Sequence, residues 1–470
     1  MQTLTELISN PVFLWTDIFL FILLFTVISF AIYARGHTHL RRPWGYVIRN
    51  KLAVVMLSIL SIYLIIGVLD SLHFNPIDKK QDGSEVVSSR ILSIFDRLVE
   101  PLRLHQEKTY SAPLASHLFT KENLQLANGQ QVRDYPKLSY GGQHLKPTDN
   151  KTVDLIKLAL MGLIKACFIF ILCCLLLTLK RPEKTLKTRL LGLFSAQNEI
   201  PVQVFIWSLL ALLMIIFSSA EIAVKYHLFG TDKVGEDVFY QTLKSIRTGL
   251  VIGTLTTLMM LPVAIALGIM AGYFKGWVDD VIQYIYTTIS SIPHVLLIAA
   301  TILMMQVYIS NHEADFGGLV ERADLRLLFL CLILGLTSWT GLCRLLRGET
   351  FKLRELEYVQ ASTAFGVSHF VIISRHIFPN LLHIVLIALV LDFSGLVLAE
   401  AVLSYINIGV DPTTASWGNM INSARLEMAR EPVVWWSLCA AFIFMFILVL
   451  AANLLADVVR DAFDPRLDKY

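Results

Sequence analysis

Residues 350–380 read TFKLRELEYVQASTAFGVSHFVIISRHIFPN and lie between two long apolar stretches. The first half of this segment favours helix, and Gly366 can take the left-handed conformation that ends a helix. Ser368 can cap a second helix, and Pro379 is expected to stop it where the next apolar stretch begins. The pattern predicts a rigid elbow between two membrane helices, suited to lying in the groove of a soluble partner and transmitting its motion. The alternative is a loop that merely connects the two helices.

Apolar stretches recur along the whole chain. Of its 470 residues, 55% are apolar and 16% are charged. The apolar residues come in blocks about twenty residues long, which a bilayer requires and a soluble core does not. The net charge of +3 is too small to indicate a nucleic-acid partner. We therefore predict an all-α, polytopic membrane protein in contact with membrane lipid. The predicted spans are 12–34, 52–70, 155–179, 203–225, 248–273, 280–308, 326–346, 381–404 and 433–457.

Basic residues between the spans predict the orientation of the chain. The connections 35–51 and 180–189 are rich in arginine and lysine, so both are expected to be cytoplasmic. No lysine or arginine precedes the first span, which is expected to be a retained helix with its N-terminus outside and not a cleaved signal. An odd number of crossings then places the C-terminus and the elbow in the cytoplasm. The segments expected to face outward are 71–154, 226–247, 309–325 and 405–432.

Several chemistries are excluded by the sequence. No glycine is followed by lysine, so the chain has no Walker A motif and any ATP hydrolysis must occur on another subunit. The 12 histidines form neither an H-E-x-x-H motif nor a histidine and cysteine cluster with zinc spacing. We therefore expect no enzymatic activity, no metal site and no cofactor.

The second half of the chain carries an ordered set of short motifs. They include GTDKVGED at 230–237, AGYFKGWVDD at 271–280, SSIPHVLL at 290–297, EYVQAS at 357–362 and RHIFPN at 375–380, followed by EAVLSYINIG, SWGNM and NLLADVVRDAFDP. In this order they resemble permease subunits of ATP-binding-cassette importers, in particular the second-permease branch of the dipeptide and oligopeptide (peptide and nickel) family. The segment 350–380 resembles the EAA loop of these subunits. It departs at Gln360, where the family usually has glutamate, and at Ser362, where it usually has alanine.

The resemblance implies a type I importer transmembrane fold in the C-terminal part of the chain. It also implies a second homologous permease, two cytoplasmic ABC ATPases that dock on the elbow loops, and an external substrate-binding protein that delivers a peptide-like substrate. The residues that the resemblance assigns to ATPase coupling are Glu357, Gln360, Ala361, Ser362, Gly366 and Pro379. Alternatives from other classes are a secondary transporter driven by an ion gradient, and a membrane scaffold or sensor whose outward lobe binds a ligand.

Polar residues inside the predicted spans are costly in hydrocarbon and are candidates for function. Asp392 lies near the middle of its span and either lines the pathway to meet a substrate amine or bonds to a neighbouring helix or the partner permease. Glu400 opens EAVLSYINIG and matches the acid of the family at that position. Asn453 and Asp457 share one helix face. For this pair, helix locking or an interface is favoured over substrate contact.

Two further features stay open at this level. Lys165 either pairs with an acid or extends toward water, and Pro262 and Pro293 should bend their spans. Residues 1–202 are predicted to be an N-terminal extension with about three spans and an outward lobe at 71–154, which serves either as a docking surface or as a spacer. Residues 203–470 form the permease core in this division. The first span of the family could be 52–70 or 203–225, with an insertion after the former slightly preferred.

Overall fold

The computed structural model describes residues 10–36, 38–79, 85–88, 90–125, 131–146, 149–179, 201–312 and 318–463. The predicted basic connection 180–189 lies outside these residues. Helices dominate the described chain. They are α1 (Trp15–Gly36), α2 (Thr38–Arg49), α3 (Lys51–Asp70), α4 (Ile94–Leu98), α5 (Glu100–Leu104), α6 (Lys151–Leu179), α7 (Val202–Ala223), α8 (Val238–Phe274), α9 (Trp277–Ser291), α10 (His294–Asn311), α11 (Leu319–Arg354), α12 (Glu357–Ala364), α13 (His369–Ile372), α14 (Phe378–Tyr405), α15 (Trp417–Glu427) and α16 (Trp436–Phe463).

Nine stretches of helix in the described chain are long and apolar enough to cross a membrane, which confirms the predicted number. One predicted span is wrong in its shape. Residues 280–308 form two helices, α9 and α10, and the chain breaks between them at Ile292 and Pro293. Proline lacks an N–H group and disfavours helix in the residue before it, so a break there is expected. Pro262, by contrast, lies inside the uninterrupted helix α8.

Two helices are much longer than the apolar layer of a membrane. Helix α8 has 37 residues and α11 has 36, which corresponds to about 55 Å each against roughly 30 Å of hydrocarbon. Both therefore extend into the flanking segments, and α11 leads directly into the elbow. The basic connection 35–51 also contains a helix, α2.

The described residues pack as two compact units, each built from several chain segments. The first comprises Met1–Val12, Ile48–Arg247 and Ala415–Ala451, and the second comprises Phe13–Val47, Thr248–Thr414 and Ala452–Tyr470. The predicted boundary at residue 202, between the N-terminal extension and the permease core, stays a prediction.

In the first unit, α6 and α7 form an antiparallel pair. Gly162 of α6 lies so close to α7 that a Cβ there would sit 2.5 Å from the Cα of Ser218. Lys165 forms an ion pair with Glu221 on α7, which settles the partner of this mid-span lysine. Small residues at the contact let the two backbones approach, as in other membrane helix pairs.

The segment after α3 is folded and contains short strands. The strands are β1 (Pro11–Val12), which precedes α1, and β2 (His73–Phe74), β3 (Ile77–Lys79), β4 (Glu85–Val87), β5 (Leu92–Ser93), β6 (Glu122–Gln125) and β7 (Gln131–Asp134), which follow α3. A three-stranded antiparallel sheet has the order β1, β2, β5, and two hairpins pair β3 with β4 and β6 with β7. A folded lobe with short strands therefore follows α3, within a chain that is predominantly helical, as predicted.

In the second unit, α8 packs closely along α11. A Cβ on Gly268 would lie 2.9 Å from the carbonyl oxygen of Cys343, and one on Gly272 would lie 2.5 Å from the Cβ of Thr350. The two glycines are four residues apart and so share a helix face. This contact positions the end of α11, from which the elbow begins.

Candidate functional site: the elbow and the intramembrane acids

The elbow begins where α11 ends at Arg354 and turns into the short helix α12. Gly366 follows α12 with a φ of 75°, in the left-handed region. The N–H of Val367 donates to the carbonyl of Ser362 at 3.1 Å, and the N–H of Gly366 donates to that of Thr363 at 3.0 Å. These two bonds form a Schellman motif. The predicted helix stop at Gly366 is confirmed.

The predicted stop at Pro379 is wrong. Ser368 precedes α13, although its side chain makes no capping hydrogen bond. Helix α13 continues through a π-helical turn, Ile373–Ile377, directly into α14, and Pro379 lies in the first turn of α14. Proline is tolerated at this point because the extra residue of a π turn already changes the hydrogen-bond pattern. The second arm of the elbow is therefore continuous with the membrane helix.

The elbow is anchored to the helix turn at the end of α8. The side chain of Val359 is only 1% exposed and packs in the apolar cluster that α8, α9 and α11 share. The hydroxyl of Tyr273 lies 2.8 Å from Nδ1 of His369, and Nη1 of Arg354 donates to the Tyr273 carbonyl at 2.6 Å. Both arms of the elbow thus contact one residue of the motif AGYFKGWVDD.

Ion pairs hold the same turn from its other side. Arg347 forms a bidentate ion pair with Asp279, in which Nη2 donates to Oδ2 at 2.7 Å. The guanidinium of Arg347 also lies 4.8 Å from the ring centre of Phe351. Lys275 pairs with Glu355 at 2.8 Å. The hydrogen bond from Lys275 is the main cause that lowers the pKa of the exposed Glu355 carboxyl. Sequence reasoning matched this motif to the family but missed its structural role.

The predicted coupling residues lie on the surface of the elbow. Glu357, Gln360, Ala361, Gly366 and Pro379 are exposed, and Ser362 is half-buried. Their role in coupling stays a prediction.

The residue at position 360 fits its surroundings. The amide of Gln360 donates to the backbone carbonyl of Glu355 at 3.2 Å and to its carboxylate at 3.3 Å. A glutamate at 360 would place a second negative charge there. Gln360 therefore bonds to Glu355 without a second negative charge beside it.

Two phenylalanines flank the turn at Gly366. Phe365 is 87% exposed and Phe370 is 79% exposed. Apolar side chains with this exposure on a rigid turn suit contact with another surface. Sequence reasoning missed both, because aromatic residues in an apolar context gave no sign of pointing away from the fold.

The intramembrane polar residues have different surroundings. Glu400 is buried and accepts a hydrogen bond from Ser404 at 2.7 Å, next to the turn that ends EAVLSYINIG. Asp392 is half-buried, and no hydrogen bond or ion pair joins it to any other residue that the structure describes. Asn453 is half-buried on α16, and Asp457 is exposed one turn later. Among the residues that the structure describes, Glu400 thus has a hydrogen-bond partner and Asp392 has none.

A third cluster lies in the first unit, where the lobe meets the motif GTDKVGED. Nδ1 of His227 lies 2.7 Å from Asp237, and Nε2 lies 3.4 Å from Glu107. Burial acts to lower the pKa of His227, but its bonds to the two carboxylates outweigh burial and raise the pKa to about 9.

The lobe supplies the other bonds of this cluster. Burial acts to raise the pKa of Glu107, but the bond from His227 and three backbone N–H donors outweigh it and lower the pKa to about 2. The donors are the N–H groups of Ser139, Tyr140 and Gly141, at 2.8, 2.8 and 3.0 Å.

Close backbone contacts accompany these bonds. The N–H of Glu107 donates to the carbonyl of Gly235 at 2.9 Å. A Cβ on Gly235 would lie 1.8 Å from the carbonyl oxygen of Glu107. The lobe therefore packs directly on a motif that carries the family resemblance.

Comparison with known proteins identifies the family. The sequence model of the family "binding-protein-dependent transport system inner membrane component" matches residues 264–469 of this chain. The dipeptide transport system permease protein of Bacillus subtilis is 29% identical over 241 residues, which are 51% of this chain and 69% of that protein. The glutathione transport system permease protein of Pectobacterium atrosepticum is 30% identical over 243 residues, 51% of this chain and 73% of that protein.

An oligopeptide permease gives the same result. The oligopeptide transport system permease protein of Mycobacterium tuberculosis is 31% identical over 239 residues, 51% of this chain and 76% of that protein. The matches thus cover about half of this chain and most of each relative, in agreement with the motifs of the second half. The chain therefore belongs to the family of inner-membrane permease subunits of binding-protein-dependent ATP-binding-cassette importers, in the branch that contains the dipeptide and oligopeptide permeases.

Proposed function

We propose that this permease forms half of the translocation pathway for peptides or peptide-like substrates and that cytoplasmic ATPases drive it through the elbow at 350–380. The observation that carries the coupling proposal is the pair Phe365 and Phe370, exposed on a turn whose base is tied to α8 and α11. A rigid apolar projection transmits motion when a partner groove holds it. Closure of the partner ATPases on binding ATP then reorients the membrane helices, so that the pathway opens alternately to the two sides of the membrane.

The proposed complex contains four kinds of component. A second homologous permease completes the pathway, two ATPases dock on the two elbows, and an external binding protein delivers the substrate. The relatives that support a peptide cargo are dipeptide, oligopeptide and glutathione permeases. Conformational energy comes from ATP hydrolysis outside this chain, which has no Walker A sequence.

We place the N-terminus outside and the C-terminus in the cytoplasm. Helix α2 supports this orientation, because it carries Arg41, Arg42 and Arg49 between the first two spans. The elbow must face the cytoplasm if ATPases dock on it. The lobe that follows α3 is then external, where it is available to the binding protein.

We also propose that α3 is the first helix of the permease core and that α6 and α7 are an inserted pair. The hydroxyl of Tyr63 on α3 donates to the carbonyl of Phe444 on α16 at 2.9 Å. Asp70 at the end of α3 lies 3.4 Å from Lys244 on α8. Helix α3 thus contacts helices of the matched half along its length, whereas most of α7 packs on α6 and α3, and its last residue, Ala223, joins the cluster of Phe239 and Phe444.

The test is purification of the tagged chain from its own membranes in mild detergent, followed by identification of the bound proteins. We expect an ATPase and a second permease. Replacing both Phe365 and Phe370 with serine should remove the ATPase and keep the permease. The matched control is Leu319→Ser, which changes a side chain of similar exposure (76%) at the opposite end of α11 and should keep both partners. Retention of the ATPase by the double serine variant would refute coupling through this turn.

A further inference from the structure

The second unit has two apolar clusters stacked along the same helices. On α11, the cluster on the elbow side begins at Trp339 and the other cluster ends at Leu334. On α14, the stretch between Ala388 and Leu396 separates the two clusters. We call the level between the clusters the middle layer. It coincides with the centre of the apolar part of α11 and therefore with the middle of the membrane.

Asp392 lies in this middle layer. Its carboxylate makes no hydrogen bond or ion pair within the part of the chain that the structure describes. Open space lies one turn away, since a Cβ on Gly395 would meet no atom within 4 Å. Glu400, on the same helix, is buried and bonded to Ser404. Of the two intramembrane acids of α14, Asp392 is thus the one that has no partner among the described residues.

The broken helix lies in the middle layer too. Ile289 belongs with the elbow-side cluster and Ile298 with the other cluster, and the break at Ile292 and Pro293 falls between them. Residues 290–296 are all exposed, His294 among them. Non-helical backbone at membrane depth cannot face lipid, because its free N–H and C=O groups would lose their hydrogen bonds. The break therefore faces protein or a water-filled pathway.

An ionised carboxylate is an acceptor without donors, so a partner for Asp392 must bring N–H groups and preferably positive charge. Intramembrane acids mark substrate or ion paths more often than lipid contacts. We propose that Asp392 binds the ammonium group of the transported peptide as it passes the middle layer. This inference rests on the proposed peptide function. A free ammonium is common to peptides of any sequence, so such a site fits a permease whose selectivity lies mainly in its binding protein.

The test uses the whole importer in proteoliposomes with its binding protein. Three quantities are measured for each variant: the amount of assembled complex, the stimulated ATPase rate and peptide uptake. Asp392→Asn should leave assembly and ATPase activity intact and lower uptake of trialanine at least about tenfold, because the hydrogen bond to the ammonium group loses the charge of its acceptor. Asp392→Glu should retain most of the uptake. Glu400→Gln is the control, and any effect of it should lower all three quantities together.

Two peptides separate the sources of the ammonium. If Asp392→Asn loses uptake of trialanine, the group bound by Asp392 is the α-ammonium. If it loses uptake only of N-acetyl-Ala-Lys-Ala, the bound group is the ammonium of a lysine side chain. Unchanged uptake of both peptides by Asp392→Asn would overturn the inference. A parallel fall of assembly, ATPase and uptake would also overturn it and would assign Asp392 to the contact with the second permease. If the unmodified importer takes up neither peptide, the proposed function itself fails, and the inference fails with it.

Discussion

Replacing His227 with glutamine should destabilise the lobe in a manner that depends on pH. The pKa of His227 rises from its ordinary 6.5 to about 9 in the folded chain. Each tenfold change in proton affinity is worth about 1.4 kcal/mol, so the charged form gains roughly 3 kcal/mol from the fold. The lowered pKa of Glu107 arises partly from the same bond and is not added to this figure.

The sign follows from the direction of the shift. A group whose pKa is raised on folding contributes its full stabilisation below its pKa in the unfolded chain. This contribution is lost as the pH rises through its pKa in the folded chain. The extra stability of the native chain over His227→Gln should therefore be largest near pH 6 and smaller by roughly 3 kcal/mol above pH 9. The carboxylate of Glu107 stays ionised throughout this range, because its pKa is near 2.

The assay is thermal unfolding of the purified chain in mild detergent at pH 6 and pH 9.5, followed by tryptophan fluorescence. Trp436 is a suitable reporter, since its indole N–H donates to the carbonyl of Thr231 in the same motif at 3.0 Å. The control Lys108→Gln removes an exposed ion pair with Glu122 beside the cluster and should change stability by less than about 1 kcal/mol. A difference between His227→Gln and the native chain that stays constant from pH 6 to 9.5 would refute this reasoning.

Further predictions concern two glycines and one ion pair. Gly366→Ala should cost only about 1–2 kcal/mol in thermal unfolding, because the left-handed φ is unfavourable but a Cβ there would meet no atom within 4 Å. Gly235→Ala should be far more damaging, since its Cβ would overlap the Glu107 carbonyl, and equal effects of the two substitutions would contradict the packing of the lobe. A double-mutant cycle of Lys165→Ala and Glu221→Ala should give a coupling of about 0.6 to 2 kcal/mol, and zero coupling would show that the pair contributes no stability.

Local sequence chemistry predicted some features and missed others. Gly366 ends its helix as expected, because a left-handed turn depends on one residue and its neighbours. Pro379 does not end the second arm, because the π turn before it is held by Ile372 and Ile377, both fully buried by distant helices. Tertiary packing decided that case, and sequence pattern carries little information about it.

Partners that are far apart in sequence were also missed. Glu107 and His227 are separated by 120 residues, and no spacing motif joins them. The family motifs singled out GTDKVGED and AGYFKGWVDD but predicted no contact for either. Their contacts are seen only in the structure, where Glu107 bonds to Gly235 of the first motif and His369 to Tyr273 of the second. The intramembrane acids were found by their cost in hydrocarbon, which is why Asp392 was recognised from the sequence.

The continuity of α13, the π turn and α14 makes this segment a lever. Phe370 stands at its elbow end, and Asp392 lies 22 residues further on, about 33 Å away along the axis. Because the helical segment is uninterrupted between them, a rigid tilt of about 10° about the elbow end displaces Asp392 by roughly 6 Å. That distance is larger than the reach of a hydrogen bond. A small rotation imposed on the elbow is therefore enough to move the Asp392 carboxylate into or out of hydrogen-bond reach of a neighbouring group.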